Sequence, residues 1–196
     1  RDVYERLAST VSRLIGDALH NQGIRNIMTF RAKRRDSLER KLWKDRDKWN
    51  MEQFGNHLSP SLKDLAGVRV LLYFRQDIQS TLDVVTKLFP DPTGQWQPKS
   101  FKHPDGYCAE HIYVSLTAGS DCASPDNFYG VPVEVQICTI IDHLYNEPEH
   151  DIVYKTPDGM PDLAQRELLT SLHQVLALAG RTVERLMIRT AERIQA

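Results

Sequence analysis

Apolar residues along RDVYERLASTVSRLIGDALHNQG recur at helical spacing: Val3, Leu7, Val11, Leu14, Ile15 and Leu19 share one side, and Gly23 offers a stop. The period then changes. RNIMTFRAK reads as a short extended piece, and DSLERKLWKDRDKW returns to a helix, with Asp36 as its cap and Glu39 three residues on in the capping-box arrangement. LAGVRVLLYF reads as a strand, and DIQSTLDVVTKLF as the helix after it, closed by Pro90. From about Asp91 to Gly106 the chain is rich in Pro, Gly and Lys and reads as a loop.

HIYVSL and VPVEVQICT read as two strands joined by a polar connection containing Gly119, Asp121, Ser124, Pro125 and Asp126. No crossover helix fits between them, so an antiparallel hairpin is expected. The remainder reads as helical and ends in a long amphipathic helix from about Pro161. Its stripe of Leu168, Leu169, Leu172, Val175, Leu176, Ala179, Val183, Leu186 and Met187 is expected to meet the core or a partner helix. The order of elements predicts an α+β (mixed α/β) domain: a mixed β-sheet flanked by helices, with a long C-terminal helix.

VPVEVQICT carries more than an element. Val131, Val133, Val135 and Ile137 fall on one face at period two, while Glu134, Gln136 and Cys138 fall together on the other. A strand buried on both faces would be apolar throughout, so this one turns a polar face to something. Arg69, flanked by Val68 and Val70, points away from the apolar face of its own strand, and Asp64 stands just before that strand.

Composition narrows the class. The chain has 196 residues, 41% hydrophobic and 26% charged, with a formal net charge of -1, which fits one globular domain over residues 1–196 with a sizeable core. No apolar run approaches the roughly 18 residues of a spanning helix, so no membrane partner is expected. Arg31, Lys33, Arg34, Arg35, Arg40, Lys41, Lys44, Arg46 and Lys48 crowd into one span, interleaved with Asp36, Glu39, Asp45 and Asp47. On residues alone this is either a solvated, salt-bridged helix face or a phosphate-binding surface. The chain opens at Arg1 without a methionine, as a trimmed or processed product would. Cys108, Cys122 and Cys138 are too few for a dense disulfide scaffold or a four-cysteine zinc site, but they allow one bridge.

Asp64 and Glu134 at strand ends, with Lys and Arg nearby, form the arrangement needed to hold Mg²⁺ against a polyphosphate. Hard oxygen ligands take the ion, and cations neutralise charge on the phosphoryl oxygens. In PDGYCAEH, Tyr107 follows Gly106 on a turn from which an aromatic ring can stack on a nucleobase. His143, Glu147 and His150 stand at i, i+4 and i+7, but Pro148 interrupts that face, and no separate metal site is expected from them.

FRAKRRDSLERKL, DLAGVRV, DGYCAEH, VEVQICT and EHDIVYK occur in the order and spacing of the RelA/SpoT-type alarmone synthetase domain, which the chain resembles from about Phe30 to Lys155. The resemblance implies a nucleotidyltransferase-like fold that moves the β,γ-pyrophosphate of ATP onto the 3′-hydroxyl of a purine nucleotide and releases AMP. It implies that Arg31 and Arg69 sandwich the adenine, and that Lys33, Ser37 and Lys41 hold the phosphates of ATP. Asp64 and Glu134 would bind Mg²⁺, and Glu134 would take the proton from the attacking hydroxyl. Tyr107 would stack on the acceptor base, with His111, Gln136 and Lys102 lining the acceptor side. The adjacent His150 and Asp151 do not make the HD hydrolase of the long members, so synthesis without degradation is expected.

The chain departs from the family pattern at two cysteines. Cys108 follows the loop tyrosine where Arg or Gln is usual, Cys138 replaces an Arg, and only Lys99, Lys102 and His103 represent the loop cations. This implies a broad acceptor range, AMP, ADP and ATP as well as GMP, GDP and GTP. Two independent small core residues are one expectation for Cys108 and Cys138, and a Cys108–Cys138 bridge on adjacent strands is the other, pointing to an oxidising compartment and an extracellular location. In this the chain is similar to the secreted bacterial nucleotide 3′-pyrophosphokinases. Two alternatives stay open: a toxic member that modifies the 3′ end of tRNA, which needs a continuous basic surface, and an inactive nucleotide-binding module, against which Asp64 and Glu134 argue.

Overall fold

Helix α1 (Asp2–Asn21) buries Leu7, Ala8, Val11, Ser12, Ile15 and Leu19 on the side its apolar spacing marks out. Gly23, at φ +71°, ends it. The Gly23 amide donates to His20 O at 2.9 Å and the Ile24 amide to Leu19 O at 3.0 Å, the paired bonds of a left-handed helix stop. The structure is a computed structural model, and it describes residues 2–44, 63–91, 97–102, 108–117, 129–155 and 160–195.

After α1 come β1 (Asn26–Ala32), α2 (Arg35–Lys44), β2 (Ala66–Leu72), α3 (Asp77–Leu88), β3 (Lys99–Lys102), β4 (Cys108–Val114), β5 (Val133–Thr139), α4 (Ile140–Lys155) and α5 (Leu163–Gln195). The strands form one mixed sheet in the order β1-β2-β5-β4-β3. Its parallel pair is β2 with β5, and β4 with β5 is the antiparallel pair that the sequence predicts.

One face of the sheet is the core. Val68, Val70, Leu72, Ile112, Val114, Val133, Val135 and Ile137 pack with Leu7, Val11, Ile15 and Leu19 of α1 and with Leu82, Val84 and Val85 of α3. Burying one such side chain is worth roughly 1.5–3 kcal/mol. A one-residue slip of β5 would exchange its faces and forfeit several of these, so the register is firmly held. The same alternation turns Gly67, Arg69, Glu134 and Gln136 to the opposite face.

Several expectations need correction. Lys99–Lys102 forms the edge strand β3 inside the stretch read as a loop; at four residues it is too short to show an alternating pattern. Helix α2 begins at Arg35, one residue before the expected cap, and the Leu38 amide donates to Arg34 O at 2.9 Å. Asp36 lies in the first turn, where its charge favours the helix start without capping it. Residues 45–49 of that predicted helix fall outside the described residues. Helix α4 runs through Pro148, which the sequence reading took as an interruption.

The expected Cys108–Cys138 bridge is not formed. Cys138 is a free, buried thiol beside Leu71 and Ala109, because the register that pairs Glu110 with Ile137 brings Ala109 next to it. Burial pushes this thiol up to about 12. One of the two supports for an extracellular location is thereby removed.

Helix α5 is capped by Asp162. The Gln165 amide donates to its Oδ1 at 2.8 Å, and the Asp162 amide donates to Gln165 Oε1 at 2.9 Å, a reciprocal capping box. Only part of the predicted stripe packs. Leu169 and Leu176 are buried, whereas Leu168, Val175 and Leu186 are more than half exposed. Among the described residues no helix is long and apolar enough to cross a membrane.

Candidate active site

Strand register lines up the polar residues in two rows across the open face of the sheet. Thr29, Arg69, Gln136 and His111 form one row, from β1 through β2 and β5 to β4. Arg31, Gly67, Glu134 and Tyr113 form the next. Arg31, Lys33, Asp64, Gly67, Arg69, Glu134 and Gln136 line one cleft over these rows, closed on one side by His143 and Glu147 of α4. Gly67 adds no side chain to this floor, and a Cβ there would lie in ordinary contact with Arg31 Cγ at 3.9 Å.

Asp64 stands in the turn before β2. That turn is tied to the end of β1 by the Lys33 amide, which donates to Leu65 O at 2.9 Å. Lys41 Nζ, from α2, donates to Asp64 Oδ1 at 2.8 Å, and Lys33 Nζ donates to Oδ2. Burial would raise the pKa of this carboxyl, but the two ammonium groups outweigh it and hold it below the ordinary carboxylate range.

Glu134 is partly buried among donors. His111 Nδ1 lies 3.2 Å from Oε1, Gln136 Nε2 donates to Oε2 at 3.0 Å, and the Tyr113 hydroxyl donates to Oε1 at 3.5 Å. Desolvation again opposes ionisation, and the bonds to His111 and Gln136 more than reverse it, so Glu134 also titrates below its ordinary value. Tyr113 is pushed the other way, up to about 12, by burial and by the charges of Glu134 and Asp64.

Arg69 completes the floor. Its Nε donates to Gln136 Oε1 at 3.2 Å, and its Nη1 donates to Glu147 Oε1 at 2.8 Å and lies 2.9 Å from His143 Nδ1. Gln136 therefore uses one end of its amide on Arg69 and the other on Glu134. The cleft thus presents two carboxylates held below their ordinary range, two lysines on one of them, and a guanidinium held in its plane by three side chains. Such a set can bind a polyphosphate with a divalent cation and stack a planar ring.

The structure brings together Arg31, Lys33, Lys41, Asp64, Arg69, His111, Glu134 and Gln136 of the residues singled out in the sequence. Ser37 is not drawn into the cleft; its hydroxyl accepts from Arg40 Nη2 at 3.5 Å on the exposed side of α2. Lys102 ends β3 opposite Cys108, with its side chain outside the described residues, and Tyr107 lies outside them altogether. Sequence reasoning missed Tyr113, although HIYVSL places it on the same strand face as His111. It also missed what His143 and Glu147 do. It weighed them as metal ligands, yet both serve Arg69, which lies 74 and 78 positions away along the chain. Among the described residues no group of three or more His, Cys, Asp or Glu gathers to hold a metal. Asp64 and Glu134 as a pair still fit Mg²⁺, which takes one or two carboxylates and completes its shell with phosphate oxygens and water.

Residues 30–159 match the family model of the region found in RelA / SpoT proteins. Among solved structures, the fold is similar to small alarmone synthetase 1 from Bacillus subtilis bound to AMPCPP, with a TM-score of 0.68 at 17% identity over 97% of this chain and 95% of that one. The same synthetase bound to its product pppGpp gives a TM-score of 0.64 at 18% identity over 96% and 94% of the two chains. A GTP pyrophosphokinase family protein from Streptococcus pneumoniae gives 0.69 at 19% identity over 98% and 93%. No curated protein sequence matches the chain.

Proposed function

The chain belongs to the RelA/SpoT family, and from that membership and the geometry of the cleft we propose that it transfers the β,γ-pyrophosphate of ATP to the 3′-hydroxyl of a free purine nucleotide, releasing AMP. The observation that carries this reading is Asp64, held by Lys33 and Lys41 in the same cleft as Glu134. Two anionic ligand positions and two cations within one side chain's reach suit a triphosphate and its metal. The relatives bound to AMPCPP and to pppGpp support an ATP-like donor and a guanine product for proteins of this fold.

In this reading Arg31 and Arg69 flank the adenine, while Lys33 and Lys41 swing from Asp64 onto the phosphates. Ser37, on the first turn of α2, adds a hydroxyl donor once its side chain turns inward. Asp64 and Glu134 would hold Mg²⁺, which when bound neutralises charge on the phosphoryl oxygens. The acceptor lies over His111, Gln136 and Lys102, with Tyr107 stacked on its base. Its 3′-oxygen forms a bond to the β-phosphorus, the bond from that phosphorus to the oxygen it shares with the α-phosphate breaks, and the proton passes to Glu134. AMP leaves in line with the attack, so most of the rate comes from positioning and charge neutralisation. Cys138, buried where relatives carry an Arg, brings no cation to the acceptor side. That favours a range of purine nucleotides over strict guanine selection.

The test is to give the purified chain ATP and Mg²⁺ with AMP, ADP, GMP, GDP, GTP or tRNA in turn, and to read product mass and AMP release. A gain of one pyrophosphate on several free nucleotides is the expected result. A gain on guanine nucleotides alone would narrow the acceptor, label on tRNA alone would replace the reading, and no transfer to anything would leave a binding module.

A further inference from the structure

We propose that His143 and Glu147 are positioning residues that lock the Arg69 guanidinium in the plane needed to stack on the donor base. The inference rests on the reading of Arg69 as an ATP residue and adds two residues to it.

Arg69 rises from the middle of β2 on a long, flexible stem, and a side chain of that kind loses much freedom when it stacks. Here the freedom is already lost. Nε is spent on Gln136 and Nη1 on His143 and Glu147, all approached along the edge of the guanidinium. Such bonds run in the plane of the guanidinium and take up none of its faces, and Arg69 lines the cleft, so the fixed plane suits a stacking arginine. The acceptors come from rigid elements, because α4 starts at Ile140 directly after β5 ends at Thr139. The first turn of α4 is fixed in turn. Asp142 accepts from the Thr139 amide at 3.2 Å and from Arg75 Nη2 at 2.8 Å, and the Asp142 amide donates to Thr139 Oγ1 at 3.1 Å.

An arginine has no acceptor, so His143 Nδ1 must be the acceptor of that bond, with the ring proton on Nε2. Burial and the facing Arg69 both keep this ring neutral, against the pull of Glu147. The charged groups facing it are Arg69 from β2 and Glu147 one turn on in α4, while β5 contributes the neutral Gln136. Protonation would put a second donor against the guanidinium and break the bond. The clamp therefore holds at neutral pH and opens in acid.

The experiment measures calorimetric affinity for a non-hydrolysable ATP analogue with Mg²⁺, and then KM for ATP and kcat, in the wild type and in R69A, H143A, E147A and H143Q. Arg69→Ala should bind most weakly. His143→Ala and Glu147→Ala should each lose about tenfold in affinity, the size of one charge-assisted hydrogen bond, with KM rising in step and kcat little changed. His143→Gln, whose side-chain oxygen still accepts, should recover most of what His143→Ala loses. Lowering the pH should raise KM for ATP more steeply in the wild type than in His143→Gln. If His143→Ala fails to fold, Glu147→Ala, on a half-exposed side chain, decides the case. Wild-type affinity in both alanine variants, with Arg69→Ala impaired, overturns the positioning role and leaves the proposed function standing. Wild-type affinity in Arg69→Ala removes Arg69 from the ATP site, and this proposal with it.

Discussion

Asp64 and Glu134 are both carboxylates in one cleft, but their surroundings prepare them for different work. Glu134 accepts from His111 and Gln136, and no lysine is drawn onto it among the described residues. Glu134→Gln should cut turnover by about a hundredfold or more, the usual worth of a general base, while the ATP analogue binds nearly as before; kinetics and calorimetry on the same preparation read both. Asp64 is instead compensated by two ammonium groups. Its folded pKa lies below that of the unfolded chain, so its contribution to stability is fully present above the unfolded value and is lost as pH falls through the folded one. Asp64→Asn should therefore cost about 1–2 kcal/mol near pH 7. The gap from wild type should close in strong acid, and thermal unfolding at neutral and acidic pH would show it. A gap that stays constant with pH would mean the ion pairs contribute nothing to the fold.

At the scale of elements, the two central strands were legible because residues alternate along most of their length. VPVEVQICT and LAGVRVLLYF each alternate a buried residue with a polar one up to Ile137 and Val70, beyond which Leu71 and Cys138 are buried on the second face, and that alternation also marks Arg69, Glu134 and Gln136 as the floor of the cleft. What escaped depended on partners far away in sequence or on register to a single residue. KSFK is too short to show a period, and Cys138 meets Ala109 where a bridge to Cys108 was expected. His143 and Glu147 gain their meaning only when α4 is laid beside β2. Helix α4 is thus the element whose placement the site depends on most, and Asp142 is its anchor, with a side chain only 4% exposed. Asp142→Ala removes the acceptor at the helix start and the partner of Arg75. It should cost about 2 kcal/mol in urea unfolding and also weaken the ATP analogue, because His143 and Glu147 ride on the same helix. A loss of stability with unchanged analogue affinity would uncouple α4 from the site.

Charge decides the remaining question at the scale of the molecule, whether the acceptor is a free nucleotide or the end of a tRNA. A tRNA substrate would need a continuous cationic track, since its affinity comes from releasing counterions along the phosphate backbone. The net charge of -1 gives no such field over the whole chain, and in the basic span five of the described cations share three carboxylates. Arg34 and Arg40 pair with Asp36, Arg35 pairs with Glu39, and Lys33 and Lys41 are committed to Asp64. Among the described side chains of that span, the lysines are Lys33 and Lys41 on Asp64, and they are enough for one triphosphate. Binding of tRNA should accordingly be weak, with a shallow dependence of log affinity on log salt, and excess tRNA should leave transfer to a free purine nucleotide unchanged. Filter binding across a salt series, alongside the transfer assay with competing tRNA, measures both. A steep salt slope together with competitive inhibition would show that these paired charges are released to a polynucleotide, and the substrate would then have to be sought on RNA.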